Sequence, residues 1–127
     1  MLVAAVLLVV AACLSLRLFP YRVVRRLAAR LARPTAGLRA PAARIAWAVA
    51  AAGRRVPGGR NCLAQALAAH VLLGRHGHPS RLRLGVARGS EGEVTAHAWV
   101  EIGDAVLVGA AGHERFTPLP AYDGADP

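Results

Sequence analysis

The fold of this chain is decided at residues 61–79, which read NCLAQALAAHVLLGRHGHP. Asn61 is a good N-cap residue, and the mainly apolar residues that follow it are typical of a helix. Gly77 and Pro79 then stop that helix. After Pro79 the hydrophobic period changes from about 3.6 residues to two, which indicates strands. The centre of the predicted fold is therefore a helix that begins at Cys62 and leads into a sheet.

Three strands are predicted beyond this helix. Residues 81–87 alternate between large apolar side chains and polar or small ones. Residues 94–102 alternate in the same way and form the second strand. The Gly-Asp pair at 103–104 is a hairpin turn, so residues 105–108 return as a third strand. Together they make an antiparallel β-meander.

Helices are predicted in front of this centre. Residues 21–31 and 41–53 carry apolar side chains at helical spacing, and residues 1–16 are apolar except for Ser15. Helices followed by an antiparallel meander define an α+β fold. We divide the single structural domain into a helical, Arg-rich part at 1–55, a core at 56–119 and a loose tail at 120–127.

The charge is divided unevenly along the chain. All sixteen basic residues are Arg, and residues 1–90 hold fifteen of them and no Asp or Glu. Residues 91–127 hold one Arg and all seven acidic residues. The basic part could attract nucleic acid, an anionic membrane surface or an acidic peptide. The arginines could equally serve only to solvate helix faces. Nucleic acid ranks last, since no known nucleic-acid motif and no interleaved aromatic residues accompany the charge.

The first sixteen residues leave two interpretations open. As a helix they would be roughly 24 Å long, which is less than the roughly 30 Å hydrocarbon core of a bilayer. A buried helix and a helix in contact with a membrane surface both fit, and a secretion signal is disfavoured because no basic residue precedes the apolar run.

Cys62 is the candidate nucleophile. It falls in the first turn of its helix, where unpaired backbone N–H groups and the helix dipole stabilise a thiolate. A small buried hydrophobe is the alternative role for a cysteine. The other cysteine, Cys13, lies in different surroundings, so the two do not indicate a disulfide framework. A nucleophilic thiol has to stay reduced, which favours the cytoplasm.

His97 is the candidate base. It lies in mid-strand between two alanines that leave room for its ring. A lone strand histidine is more often structural, but a helix-start cysteine followed by a strand histidine is the order that Cys–His hydrolases and acyl transferases use. Trp99 shares the face of His97 and could line a substrate groove or pack in the core. No metal and no cofactor are predicted, because no cysteine lies at a zinc-binding spacing from the remaining histidines, His70, His76, His78 and His113.

Four segments together resemble the lasso peptide biosynthesis B2 protein family. They are NCLAQAL at 61–67, LRLGV at 82–86, AHAWVE at 96–101 and FTPL at 116–119. Members of this family are transglutaminase-like cysteine proteases that remove the leader from a lasso-peptide precursor. The resemblance covers about residues 56–119.

The resemblance implies a fold, two roles and several partners. The fold is a transglutaminase-like or papain-like core with the nucleophile at a helix N-terminus, Cys62 being that nucleophile and His97 its base. The partners are the leader peptide, a small leader-recognition (B1-type) protein that presents it, and a lasso cyclase that closes the ring afterwards.

The sequence departs from the family where a third catalytic residue is expected. The family usually has an Asp on the strand after the histidine. The turn pairs Ile102 with Ala105, so His97 faces Ala110, or Gly109 if one bulge intervenes. Neither residue can orient an imidazole. We therefore predict a dyad whose orienting group is unidentified; a backbone carbonyl, a water and three side chains stay open, namely His113, Glu114 and Asp123.

Two other functions remain compatible with these residues. A catalytically weak or inactive scaffold could bind the precursor without cutting it, and the missing Asp favours this alternative. An acyl transferase could use the same dyad with an amine in place of water as the acceptor.

Overall fold

The computed structural model describes residues 1–58, 61–103, 105–108 and 117–118. In these ranges the chain forms helices first and then an antiparallel sheet, so the α+β prediction is confirmed. The helices are α1 (Leu2–Leu18), α2 (Tyr21–Leu31), α3 (Ala42–Arg55) and α4 (Cys62–Arg75). The strands are β1 (Arg81–Arg88), β2 (Val94–Ile102), β3 (Ala105–Val108) and β4 (Thr117–Pro118).

The sheet has the order β3-β2-β1-β4. The first three strands form the predicted meander, and β4 pairs antiparallel with β1 through Val86 and Gly85. The strand β4 is an addition to the prediction, because proline cannot donate to a ladder and Pro118 therefore indicated a loop. At the edge of a sheet the missing donor costs little. The predicted loose tail at 120–127 lies outside the described residues.

The turn between β2 and β3 is as predicted, and the register beyond it is shifted. Ile102 pairs with Ala105 across a turn in which Gly103 has a positive φ of 57°. Glu101 pairs with Val106 in the same register, and the register moves only at the next residue, so that Val100 pairs with Val108. The observed shift is a bulge that adds one residue to β3. The bulge considered from the sequence, which would place Gly109 opposite His97, would instead add one residue to β2. The residue opposite His97 lies outside the described residues.

Helix α4 is at the centre of the molecule. It packs against α1, α2, α3 and the sheet, and nine of its fourteen residues are buried. Its alanines let neighbouring helices approach closely, and Leu67 and Leu73 fill the space between them with 2% and 1% exposure. Gly74 lies directly against the backbone of Ala32 just after α2, where no side chain fits. These contacts fix α4, and with it the position of Cys62.

Helix α1 is covered on one side only. It packs against α3 and α4 through Ala5, Val9 and Ala12, and the opposite side faces outward. Of the helices in the described ranges, none combines the length and the apolarity needed to cross a membrane.

Candidate active site

Cys62 is the first residue of α4, as predicted. Asn61 precedes it as a true N-cap: its side-chain oxygen accepts hydrogen bonds from the N–H groups of Leu63, at 2.9 Å, and Ala64, at 3.4 Å. The Cys62 side chain is partly exposed and packs against the edge of the core. The position combines access with the positive end of a fixed helix, which is what a nucleophilic thiolate requires.

A cleft of about 380 Å³ opens beside the start of α4. The second half of α1 and the loop at 56–58 line it, together with Asn61. Cys13 lies in this cleft, 3.7 Å from the carbonyl oxygen of Gly58, and Arg17 supplies its positive charge. Cys13 and Cys62 are both free thiols of intermediate exposure. The residues that line the cleft are mainly apolar with one cationic side chain, and Cys62 itself is not among them.

His97 lies in the middle of β2 and is half-buried. Its ring stacks on that of Trp99, with centroids 6.0 Å apart and planes inclined by 26°. Trp99 is 2% exposed, and its indole N–H donates to the Glu101 carboxylate at 2.6 Å. Glu101 also forms an ion pair with Arg83 at 3.6 Å. The Trp99 indole, which Glu101 holds in place, therefore supports one side of the His97 ring. A role for Trp99 in lining a substrate groove stays a prediction.

The faces of β2 separate His97 from the helical core. Ala98 and Val100 are buried in the core with the helices, so the alternating residues His97 and Trp99 lie on the other face of the sheet. Across the ladder His97 pairs with Gly85, which carries no side chain to crowd the ring.

The two elements that carry the candidate dyad are neighbours, since α4 packs on β2. Within the described ranges, however, no hydrogen bond joins Cys62 to His97. The structure thus does not bring the two side chains together, because His97 lies on the sheet face that points away from the helical core. The catalytic pairing stays a prediction, and the proposed orienters His113, Glu114 and Asp123 lie outside the described residues.

Three other histidines have structural partners. His70 hydrogen-bonds Ser80 at 2.8 Å, and its burial lowers its pKa from the ordinary value. The ring of His76 accepts from the Ala40 N–H at 2.9 Å, while that of His78 lies 2.7 Å from the carbonyl oxygen of the same residue. Burial, followed by the neighbouring charges of His78, the N-terminus and Arg75, lowers the pKa of His76. The rings of His76 and His78 tie the end of α4 to the segment before α3.

Sequence reasoning missed the cluster of Arg83, Trp99 and Glu101. Alternation puts Trp99 and Glu101 on one face, and the antiparallel register sets Arg83 opposite Trp99. That register follows from the short turn between β1 and β2, so the signal was present in the sequence. Among the described residues, no three His, Cys, Asp or Glu side chains are grouped closely enough to hold a metal ion.

Comparison with known proteins agrees with this architecture. The family model described as the transglutaminase-like superfamily matches residues 5–121, which is nearly the whole chain. The protein therefore belongs to the transglutaminase-like superfamily, which includes cysteine proteases and acyltransferases. No curated protein and no solved structure matched the chain. The match begins within α1 and spans both predicted parts of the domain, whose division at residue 55 stays a prediction.

Proposed function

We propose that this protein is a cysteine protease that removes the leader peptide from a lasso-peptide precursor. The observation that carries the proposal is the position of Cys62, which opens a capped and enclosed helix in a transglutaminase-like chain. The AHAWVE strand at 96–101 supports it, because it adds a histidine on an element that packs against that helix. The restriction to lasso precursors rests on the resemblance of four sequence segments.

The reaction follows from the chemistry of these groups. The Cys62 thiolate attacks the carbonyl carbon of the scissile peptide bond, and His97 takes up the thiol proton. His97 then protonates the leaving amine as the C–N bond breaks, which leaves an acyl-enzyme. Water attacks the thioester, its proton passes to His97, and the peptide acid is released as the thiol forms again.

Few backbone N–H groups at the start of α4 are free to stabilise the oxyanion that forms when Cys62 attacks the peptide carbonyl. A helix has four N–H groups in its first turn without intrahelical partners. The side chain of Asn61 engages those of Leu63 and Ala64, and Gln65 donates to the Asn61 carbonyl oxygen. The backbone N–H of Cys62 is therefore our candidate donor from this turn.

The proposal includes partners and a compartment. Leader recognition would come from a small B1-type protein that presents the precursor, and a lasso cyclase would use the product. The cytoplasm is the proposed location, since a free nucleophilic thiol has to stay reduced there. The reaction as written needs no cofactor.

Mass spectrometry of precursor cleavage tests this proposal. The assay combines the full chain with a precursor and its leader-recognition protein, whose genes are to be sought beside the gene for this chain. We expect wild-type protein to release the leader and Cys62→Ala to release none. Cys13→Ala is the matched control, because the Cys13 thiol is about as exposed as that of Cys62 and should not be needed for cleavage.

The position of His97 on the sheet face that points away from the helical core favours a second candidate, a scaffold that binds the precursor without cutting it. This candidate predicts that leader removal in the complete system is unchanged by Cys62→Ala. An acyl transferase is distinguished in the same spectra, because its product mass includes the amine acceptor.

A further inference from the structure

We propose that the outer surface of α1 and α2 docks on an anionic lipid membrane. We call this surface the α1–α2 face; it consists of the outward side chains of the two helices. The inference does not depend on the proposed protease activity, since its argument uses neither Cys62 nor His97; of the residues it uses, Leu14 also lines the cleft beside the start of α4.

The outward side of α1 carries a row of large hydrocarbon side chains, with the exposed Arg17 beside it in the last turn. Val3, Leu7, Leu14 and Leu18 are 73%, 64%, 53% and 73% exposed. Their spacing puts them on one side of the helix, opposite the buried Ala5, Val9 and Ala12. Scattered apolar residues are normal on a protein surface, but a continuous row along a whole helix marks an interaction surface.

Helix α2 carries an apolar stripe and a basic stripe side by side. Val23, Leu27 and Leu31 are exposed at intervals of four residues, and they form the apolar stripe. Arg22, Arg26 and Arg30 precede each of them by one position and form an exposed basic stripe. This is the pattern of a helix that lies in a membrane interface with its arginines at the headgroups.

The exposed surfaces of the two helices are continuous. One groove between α1, α2 and α4 is lined by Ala11 of α1 and by Leu27 of α2. A second groove, of about 460 Å³, brings Leu7 of α1 together with Leu31 of α2. The apolar row therefore runs from α1 across to α2 and ends at the arginine stripe.

Charge decides which occupant fits this face. Residues 1–90 hold fifteen Arg and no acidic residue, so a second copy would bring like charge against like charge. The outer row of α1 offers no hydrogen-bonding side chain, and a specific protein interface usually includes such groups. An anionic membrane supplies what both parts of the face require, namely hydrocarbon beneath a negatively charged layer.

Vesicle flotation with the full chain tests the proposal. One set of vesicles is phosphatidylcholine alone, and the other is phosphatidylcholine mixed with phosphatidylglycerol. We expect flotation with the anionic vesicles that weakens as salt is raised, and little with the neutral ones. Arg26→Gln combined with Arg30→Gln should reduce binding by about tenfold or more, since each Arg near an anionic surface contributes roughly fivefold.

The apolar row is tested by Leu7→Gln combined with Leu14→Gln, which should also reduce binding by about tenfold or more. Both sites are exposed, so the fold tolerates the change. Val94→Gln and Arg88→Gln are matched controls on the sheet, where both residues are also exposed, and they should bind as wild type does.

Three results would overturn the proposal. The first is a lack of flotation with anionic vesicles, and the second is an equal loss in the sheet controls. The third is occupation of the face by a protein: either a dimer in light scattering that Leu7→Gln with Leu14→Gln dissociates, or an acidic peptide bound through this face without vesicle binding.

Discussion

Helices α1 and α4 have similar compositions and different surroundings. Both are built mainly from Ala, Val and Leu, and they pack against each other. Nine residues of α4 are buried but only three of α1, because α4 is enclosed by three helices and the sheet. Apolar composition alone therefore does not show which helix is core. The enclosed helix holds the candidate nucleophile in place, and the half-covered one offers a surface.

The largest expected effect tests whether α4 and the sheet form one site. His97→Ala should reduce precursor cleavage by about 10²- to 10⁴-fold, because general acid–base catalysis contributes that much. His78→Ala, at a ring that contacts the Ala40 backbone, is the control and should retain cleavage. Unchanged cleavage by His97→Ala would show that His97 takes no part in the reaction at Cys62.

The next prediction compares one leucine from each helix. Leu67→Ala in α4 should lower the free energy of unfolding by about 2–5 kcal/mol, since it empties a fully packed site. Leu7→Ala in α1 should change it by less than about 0.5 kcal/mol, because that side chain is 64% exposed. Urea denaturation measures both, and equal losses would show that α1 is as enclosed as α4.

A substitution at Gly74 tests how closely α4 approaches the end of α2. Glycine to alanine within a helix normally stabilises, by roughly 0.5–1 kcal/mol. At Gly74 the new methyl group would meet the backbone of Ala32, so Gly74→Ala should instead destabilise by about 1–3 kcal/mol. A gain in the unfolding midpoint would contradict the close approach of α2 to α4.

The smallest expected effect is a dependence of stability on pH at the end of α4. Burial lowers the pKa of His70 and His76 in the folded protein, so below the ordinary value of 6.5 the unfolded chain binds more protons. Stability should be complete above pH 6.5 and should fall as the pH is lowered through the window beneath it. Urea denaturation in that window checks the sign, and a rise in stability on acidification would contradict it. His76→Gln should flatten the dependence, since an amide oxygen can still accept from Ala40.

Local sequence signals predicted much of this fold. The start of α4 follows from the Asn61 cap, the meander from strict alternation, and the pairing of Ile102 with Ala105 from a two-residue turn. What escaped prediction depends on contacts between distant segments. Pro118 pairs with β1 although proline normally indicates a loop, and the bulge in β3 appears only when the strands are assembled.

For the candidate site too, local features could be predicted from the sequence and contacts between distant segments could not. Cys62 could be placed at a helix start because a cap is a local feature. Its relation to His97 depends on how α4 crosses the sheet, which no spacing in the sequence specifies. The clamp on Trp99 by Glu101 and Arg83 depends on register, and register can be read only once both strands and their turn are known.

The central claim, that Cys62 is an activated nucleophile, is tested most directly by comparing the two thiols within one molecule. Alkylation with iodoacetamide, followed by peptide mapping over time, gives separate alkylation rates for Cys62 and Cys13. Both thiols are partly exposed, so access alone should not separate them. We predict that Cys62 reacts at least about tenfold faster, as expected for a nucleophile at the positive end of a fixed helix, and that His97→Ala removes most of the difference. Equal rates, or a faster Cys13, would contradict the account.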